Sequence, residues 1–210
     1  MAMNISSLTH FIATLLSIAG LSVLVTLAAV KGTAIYIVSF SIFGAALILL
    51  YLASTLYHFL SHDHPKKDLF QTIDHSMIYV LIAGTYTPLA LLVLTPAWGW
   101  SIFGVIWGLA FTGIIIKTLR LKIPGWLSAS FYLLMGWLIV IAFVPLNGAL
   151  TSAAIFWLVL GGIFYTSGTV FFSLDGRFLE GKWWTFHDIF HIFVMLGSAS
   201  HFWFMLKFVL

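Results

Sequence analysis

His187 and His191 stand four residues apart at the start of the last apolar stretch, and Ser54 and His58 stand four apart near the end of an earlier one. Residues at this spacing share a helix face, about 6 Å from one another, so each pair can serve a single ligand. Three imidazoles suit zinc, which takes histidine nitrogen at roughly 2.0–2.1 Å and, in catalytic sites, keeps a fourth position for water. Such an ion lowers the pKa of its water to about 7 and polarises a carbonyl. Asp74 opens the apolar stretch that follows His58, and it reads as the group that holds the water or acts as general base. Ser54 reads as support for a ligand or as donor to a developing oxyanion. Ionisable groups are costly in hydrocarbon, which makes each of them a statement about function. Plainer readings stand beside these. The histidines can be interfacial and bound to water, Asp74 an acid favoured at a helix N-terminus, and Ser54 bonded to its own i−4 carbonyl.

The elements that must carry these residues are membrane spans. The chain of 210 residues is 62% hydrophobic and 7% charged, against roughly 25% charged in a soluble domain. There are no cysteines, so a metal must be held by nitrogen and oxygen. The net charge of +3 comes from residues in short loops and reads as a topology signal, not as affinity for nucleic acid. No Lys or Arg precedes Lys31, so the first stretch lacks the basic start of a signal peptide and reads as a retained helix.

Charged residues and Pro/Gly turns divide the chain into seven spans, near 11–30, 35–60, 74–94, 100–117, 125–144, 151–173 and 186–207. Breaks fall at Thr95-Pro96-Ala97-Trp98-Gly99 and at Pro145-Leu146-Asn147-Gly148. Lys66, Lys67, Lys117, Arg120, Lys122, Arg177 and Lys182 lie in alternate loops, while Lys31 and Lys207 lie on the other side. That bias makes the N-terminus cytoplasmic and the C-terminus outside. The fold class is therefore an all-α membrane protein, with residues 1–210 forming one seven-helix transmembrane domain. With this topology Ser54, His58, Asp74, His187 and His191 come to the same leaflet from three helices.

Other polar residues read more plainly. Thr185 and Asp188 have capping-box spacing for the last helix. His75 points about 100° away from Asp74 around its helix. His62 and His64 fall in a solvated loop. His201 lies roughly 15 Å beyond His191 along the axis and reads as structural. Trp183 and Trp184 read as an interfacial belt.

At these residues the chain resembles the hemolysin III branch of the progestin and adipoQ receptor family. The matching stretches are Ser54-Thr-Leu-Tyr-His58, Asp74-His-Ser-Met-Ile-Tyr with Gly84-Thr-Tyr-Thr-Pro88, and His187-Asp-Ile-Phe-His191. The resemblance implies one Zn2+ held by His58, His187 and His191, with Ser54 and Asp74 nearby, and kinship to membrane hydrolases of the alkaline ceramidase type. The family's Glu, Asn and His before the first helix are matched here only at His10; Met3 and Ser6 occupy the other two places. The expected function is a zinc-dependent hydrolase of a lipid amide or ester, with a membrane lipid as substrate or ligand, in a bacterial inner membrane. The alternatives are a pore-forming cytolysin, a zinc-containing sensor or regulator of membrane lipid state, and a bis-histidine haem protein.

Overall fold

The computed structural model describes residues 4–121, 123–174 and 184–210. Met3, Lys122, Arg177, Lys182 and Trp183, which entered the sequence reading, lie outside them. Among the described residues seven helices are long and apolar enough to cross a membrane: α1 (Ile5–Val30), α2 (Ala34–Phe59), α3 (Lys67–Val93), α4 (Pro96–Thr118), α5 (Gly125–Ala149), α6 (Ser152–Ser173) and α7 (Phe186–Val209). The seven-span expectation holds. Helices are the form the composition demands, because lipid offers no partners to free N–H and C=O groups.

Two starts differ from the sequence reading. α1 begins six residues early, at Ile5, because Asn4 caps it by accepting from the Ser7 N–H at 2.8 Å. The polar turn Ser6-Ser7 is helical, and a rule that counts only apolar residues passes over it. α3 begins at Lys67, seven residues early, so Asp74 lies about 10 Å inside the helix. Asp74 is thus not an N-terminal acid, and the plainer reading of it fails.

One break also moves. Pro145 does not end α5. After an α segment to Trp137, the helix tightens to a 3-10 stretch over Leu138–Ala142, then resumes as α over Phe143–Ala149. Pro145 sits in the first turn of that renewed segment, where a missing N–H costs little. Tyr86 of α3 satisfies the backbone freed by the change of pitch. Its hydroxyl accepts from Ile139 N–H at 2.8 Å and faces the carbonyls of Met135 and Gly136 at 2.9 and 2.8 Å.

Helix neighbours are α1–α2, α2–α3, α3–α5, α5–α6, α6–α7 and α7–α1, a closed circuit, with α4 packed outside on α3. Close approach relies on small residues, the usual device where lipid supplies no hydrophobic drive between helices. A Cβ on Gly84 of α3 would lie 2.6 Å from Ala46 Cβ of α2. The core between these helices holds Phe40, Phe43, Leu47, Tyr51, Tyr79, Ile106 and Phe204, all buried. The α2–α3 turn, the end of α4 and the start of α7 fall at one end of the bundle. That end also carries Lys66, Lys67, Lys117 and Arg120, and is here the basic end.

Candidate metal centre

His58 lies on the last turn of α2, and His187 and His191 lie on the first two turns of α7. α1 packs against both helices and ties them together with its own first turn. The Asn4 amide donates to the His58 carbonyl at 3.1 Å, and the Ser7 hydroxyl donates to the Thr55 carbonyl at 3.2 Å. The Ser6 hydroxyl donates to Asp188 Oδ1 at 2.6 Å. Asp188 Oδ2 accepts from the Thr185 N–H and hydroxyl, each at 2.8 Å, completing the expected capping box at the start of α7. One carboxylate therefore caps α7 and holds it to α1.

Within this frame one ring nitrogen from each of the three histidines falls in a group whose members lie within 4.8 Å of one another. The His58 and His187 Nε2 atoms are 3.2 Å apart. Two nitrogens on a tetrahedral zinc at about 2.05 Å would be roughly 3.3 Å apart, with ring centroids roughly 5 Å apart. The observed centroid distances are 4.9, 4.8 and 4.7 Å for His58–His187, His58–His191 and His187–His191, with planes inclined by 56°, 77° and 53°. Three imidazoles approaching one point from three directions fit a nitrogen-only metal site. The structure brings together the three residues that the sequence grouped.

Asp74 and Ser54 complete the neighbourhood without joining the ligand group. The Ser54 hydroxyl lies close to the Asp74 carboxyl, and both side chains are buried. Its neighbour Thr55 makes the i−4 bond common for hydroxyls in membrane helices, to the Tyr51 carbonyl at 2.7 Å. Lys67 stands at the start of α3, its ammonium donating to the carbonyls of Tyr57 and Leu60 at 2.6 and 2.9 Å. That places a cation on the unsatisfied C-terminus of α2, where the helix dipole favours it.

His10 is the residue that the sequence reading left out of the site. Its ring lies flat on His191, centroids 3.7 Å apart and planes 8° from parallel, with the edge of Tyr51 at 5.0 Å. Both ring nitrogens are buried and have no hydrogen-bond partner among the described residues. His10 is not among the three histidines whose ring nitrogens converge. It packs flat on one of them and lines the space beside it. Its signal was available: it is the ionisable residue of the first apolar stretch. A helix taken to start at residue 11 left it in a loop.

That space is a cavity of about 240 Å³. His10, Ser54, Asp74, His187 and His191 line its basic end; Leu50, Ile78, Leu81, Ile82 and Val194 give it apolar walls; Tyr165 and His201 stand farther along. His75 also lines it, on a different face of α3 from Asp74. His201 is kept apart from the metal group by its depth, with Nε2 3.1 Å from the Leu158 carbonyl and its ring against Gly161. A Cβ at Gly161 would come within 2.3 Å of that ring. A hydroxyl chain links the two ends of this region, with Tyr51 donating to Ser198 at 2.6 Å and Tyr165 2.8 Å from the same hydroxyl. His62 is exposed, and His64 Nδ1 accepts from the Lys66 N–H in the loop.

The family model described as "Haemolysin-III related" matches residues 3–202. The "Hemolysin-3 homolog" of Bacillus subtilis (strain 168) is 45% identical over 197 residues, covering 94% of this chain and 89% of that protein. The "Hemolysin-3" of Bacillus cereus is 42% identical over 205 residues, covering 98% and 90%. The human "Monocyte to macrophage differentiation factor" is 30% identical over 173 residues, covering 80% and 69%.

Proposed function

The chain belongs to the haemolysin-III related family of integral membrane proteins, and we propose that it is a zinc protein that hydrolyses an amide or ester bond of a membrane lipid. The observation that carries the proposal is the convergence of His58, His187 and His191 beside a cavity whose wall also holds Asp74. When bound, zinc supplies a polarised carbonyl and water acidic enough to attack at neutral pH. The remaining work falls to the chain itself. Asp74 is the group to take the proton of the attacking water, held in register by the Ser54 hydroxyl. Leu50, Ile78, Leu81, Ile82 and Val194 accept the acyl part of the substrate and keep bulk water out. The seven-to-two distribution of Lys and Arg over alternate loops supports a cytoplasmic basic end in a bacterial inner membrane.

Elemental analysis of the detergent-purified chain tests the metal: one zinc per chain is expected, and none in His191→Ala. Zinc retained at full stoichiometry in that variant would refute the assignment. Hydrolysis of a fluorogenic lipid amide or ester by wild type, lost in Asp74→Asn while zinc stays, tests the catalytic reading. Zinc without turnover would place the chain among non-catalytic sensors of lipid state. Visible absorbance would point to haem instead.

Cytolysis is the second reading, favoured by the name of the Bacillus cereus relative. A conducting path needs polar lining through the full depth of the membrane, and the cavity walls here are largely apolar between its two ends. Ion flux through liposomes bearing purified protein separates the two: leak at the level of a known pore supports cytolysis, and a tight bilayer counts against it.

A further inference from the structure

A second pocket, of about 380 Å³, opens at the basic end outside the metal centre. Asp68, Gln71, Thr72 and His75 of α3 line it together with Lys117 of α4 and Arg120 just past the end of that helix. Lys117 bonds a neutral partner, its ammonium 3.0 Å from the Ser128 hydroxyl of α5. Arg120 is exposed and holds a left-handed backbone, φ 52°. That conformation is uncommon outside glycine and asparagine, yet here the turn presents an arginine. The pocket thus combines two cations, an imidazole, an amide, a hydroxyl and one carboxylate.

This pocket is not separate from the apolar cavity. His75, Lys117 and Ile123 line both. A ligand whose polar part occupies the first can send an apolar part into the second without leaving the protein. His75 follows Asp74 directly, so the junction lies one residue from the proposed proton acceptor. Basic pockets between helices at the cytoplasmic side are where anionic lipid head groups bind.

We propose that Gln71, Thr72, His75, Lys117 and Arg120 form a head-group site for an anionic, phosphate-bearing membrane lipid whose acyl chain enters the apolar cavity. The site rests on the reading of that cavity as a lipid chamber and is independent of zinc. It also narrows the substrate, because a phosphate held here leaves the ester linkages of a glycerolipid on the Asp74 side.

The test is native mass spectrometry of the full-length, detergent-purified chain with dilauroyl phosphatidic acid and, in parallel, dilauroyl phosphatidylcholine. Zinc is measured on the same preparation. Wild type is expected to favour phosphatidic acid by at least about twentyfold, with about fivefold lost in each of Lys117→Gln and Arg120→Gln. Lys117→Arg should keep the preference, and millimolar inorganic phosphate should not displace the lipid. Equal binding of the two lipids by wild type overturns the proposal, as does a preference that survives both glutamine substitutions. Displacement by inorganic phosphate would make this a site for the free anion and overturn the lipid assignment. Should Lys117→Gln misfold through loss of its Ser128 bond, the exposed Arg120→Gln carries the comparison alone. Loss of zinc with the lipid preference intact sinks the metal reading only, and the reverse result sinks only this one.

Discussion

The two sides of the bundle are built differently. On the side of α1, α2, α3 and α7, polar groups are locked to one another across helices: Ser6 to Asp188, Asn4 to the His58 carbonyl, Tyr51 to Ser198. α3 buries Asp74, Tyr79, Leu81, Ala83 and Tyr86 among others. Around α5 the packing is thin, both to α3 and to α6, although α6 itself lies close on α7. The buried residues of α6 are Ala154, Gly161 and Gly168, all small, and Gly136, Trp137, Gly162 and Thr166 line the cavity instead of filling it. A metal site needs ligands fixed to within tenths of an ångström, and a lipid chamber needs a wall that yields. The contrast teaches that rigidity here is spent locally, around the histidines.

The largest expected effect tests the rigid side at its centre. His58→Ala removes the one ligand contributed by α2 and should weaken zinc binding by more than about a hundredfold, read as metal content after dialysis against a mild chelator. Unchanged zinc would mean that α2 is not part of the centre. Next comes a matched pair of glycine substitutions. Gly84→Ala drives a methyl group to 2.6 Å from Ala46 Cβ, overpacking that should cost about 1–3 kcal/mol. Gly136→Ala has nothing within 4 Å of the new Cβ and should move stability by no more than about 0.5 kcal/mol. Unfolding in mixed detergent measures both, and equal costs would erase the distinction between the two sides. Ser6→Ala ranks third. It deprives a buried carboxylate of its 2.6 Å donor, at about 1–3 kcal/mol, and should loosen zinc about tenfold by releasing α7 from α1.

Much of this was legible in the sequence, and the failures have physical causes. Span count and the grouping of His58, His187 and His191 followed from charge-free stretches and helical spacing, which act within one helix. Which helices are neighbours did not follow, because apolar residues occur all round each span and mark no inward face. α1 meeting α7 is the contact that matters most, and it brings in His10 and Ser6. Both were missed as members of the centre because the first turn of α1 is polar and reads as loop. Pro145 misled for a different reason: a 3-10 stretch before it resets the helix, so the proline falls in a first turn. The Gly84-Thr-Tyr-Thr-Pro88 stretch was visible as a motif, but its use was not. Gly84 admits α2, and Tyr86 repairs the backbone of α5.

The smallest expected effect probes the yielding side at its rim. Trp137 on α5 donates from Nε1 to the Thr166 hydroxyl of α6 at 3.0 Å, beside exposed Gly136. The bond spans the thinly packed seam between α5 and α6, and it lies where water or lipid can replace it. Trp137→Phe keeps an aromatic ring at the rim and deletes only the donor. A partly exposed hydrogen bond of this kind contributes about 0.5 kcal/mol, so unfolding should shift by no more than that and zinc content should not change. If the variant instead lost about 2 kcal/mol or more, α5 and α6 would be carrying the bundle as firmly as α2 and α3 do. The cavity would then have no soft wall, and lipid would have to reach Asp74 from the basic end alone, past Lys117 and His75.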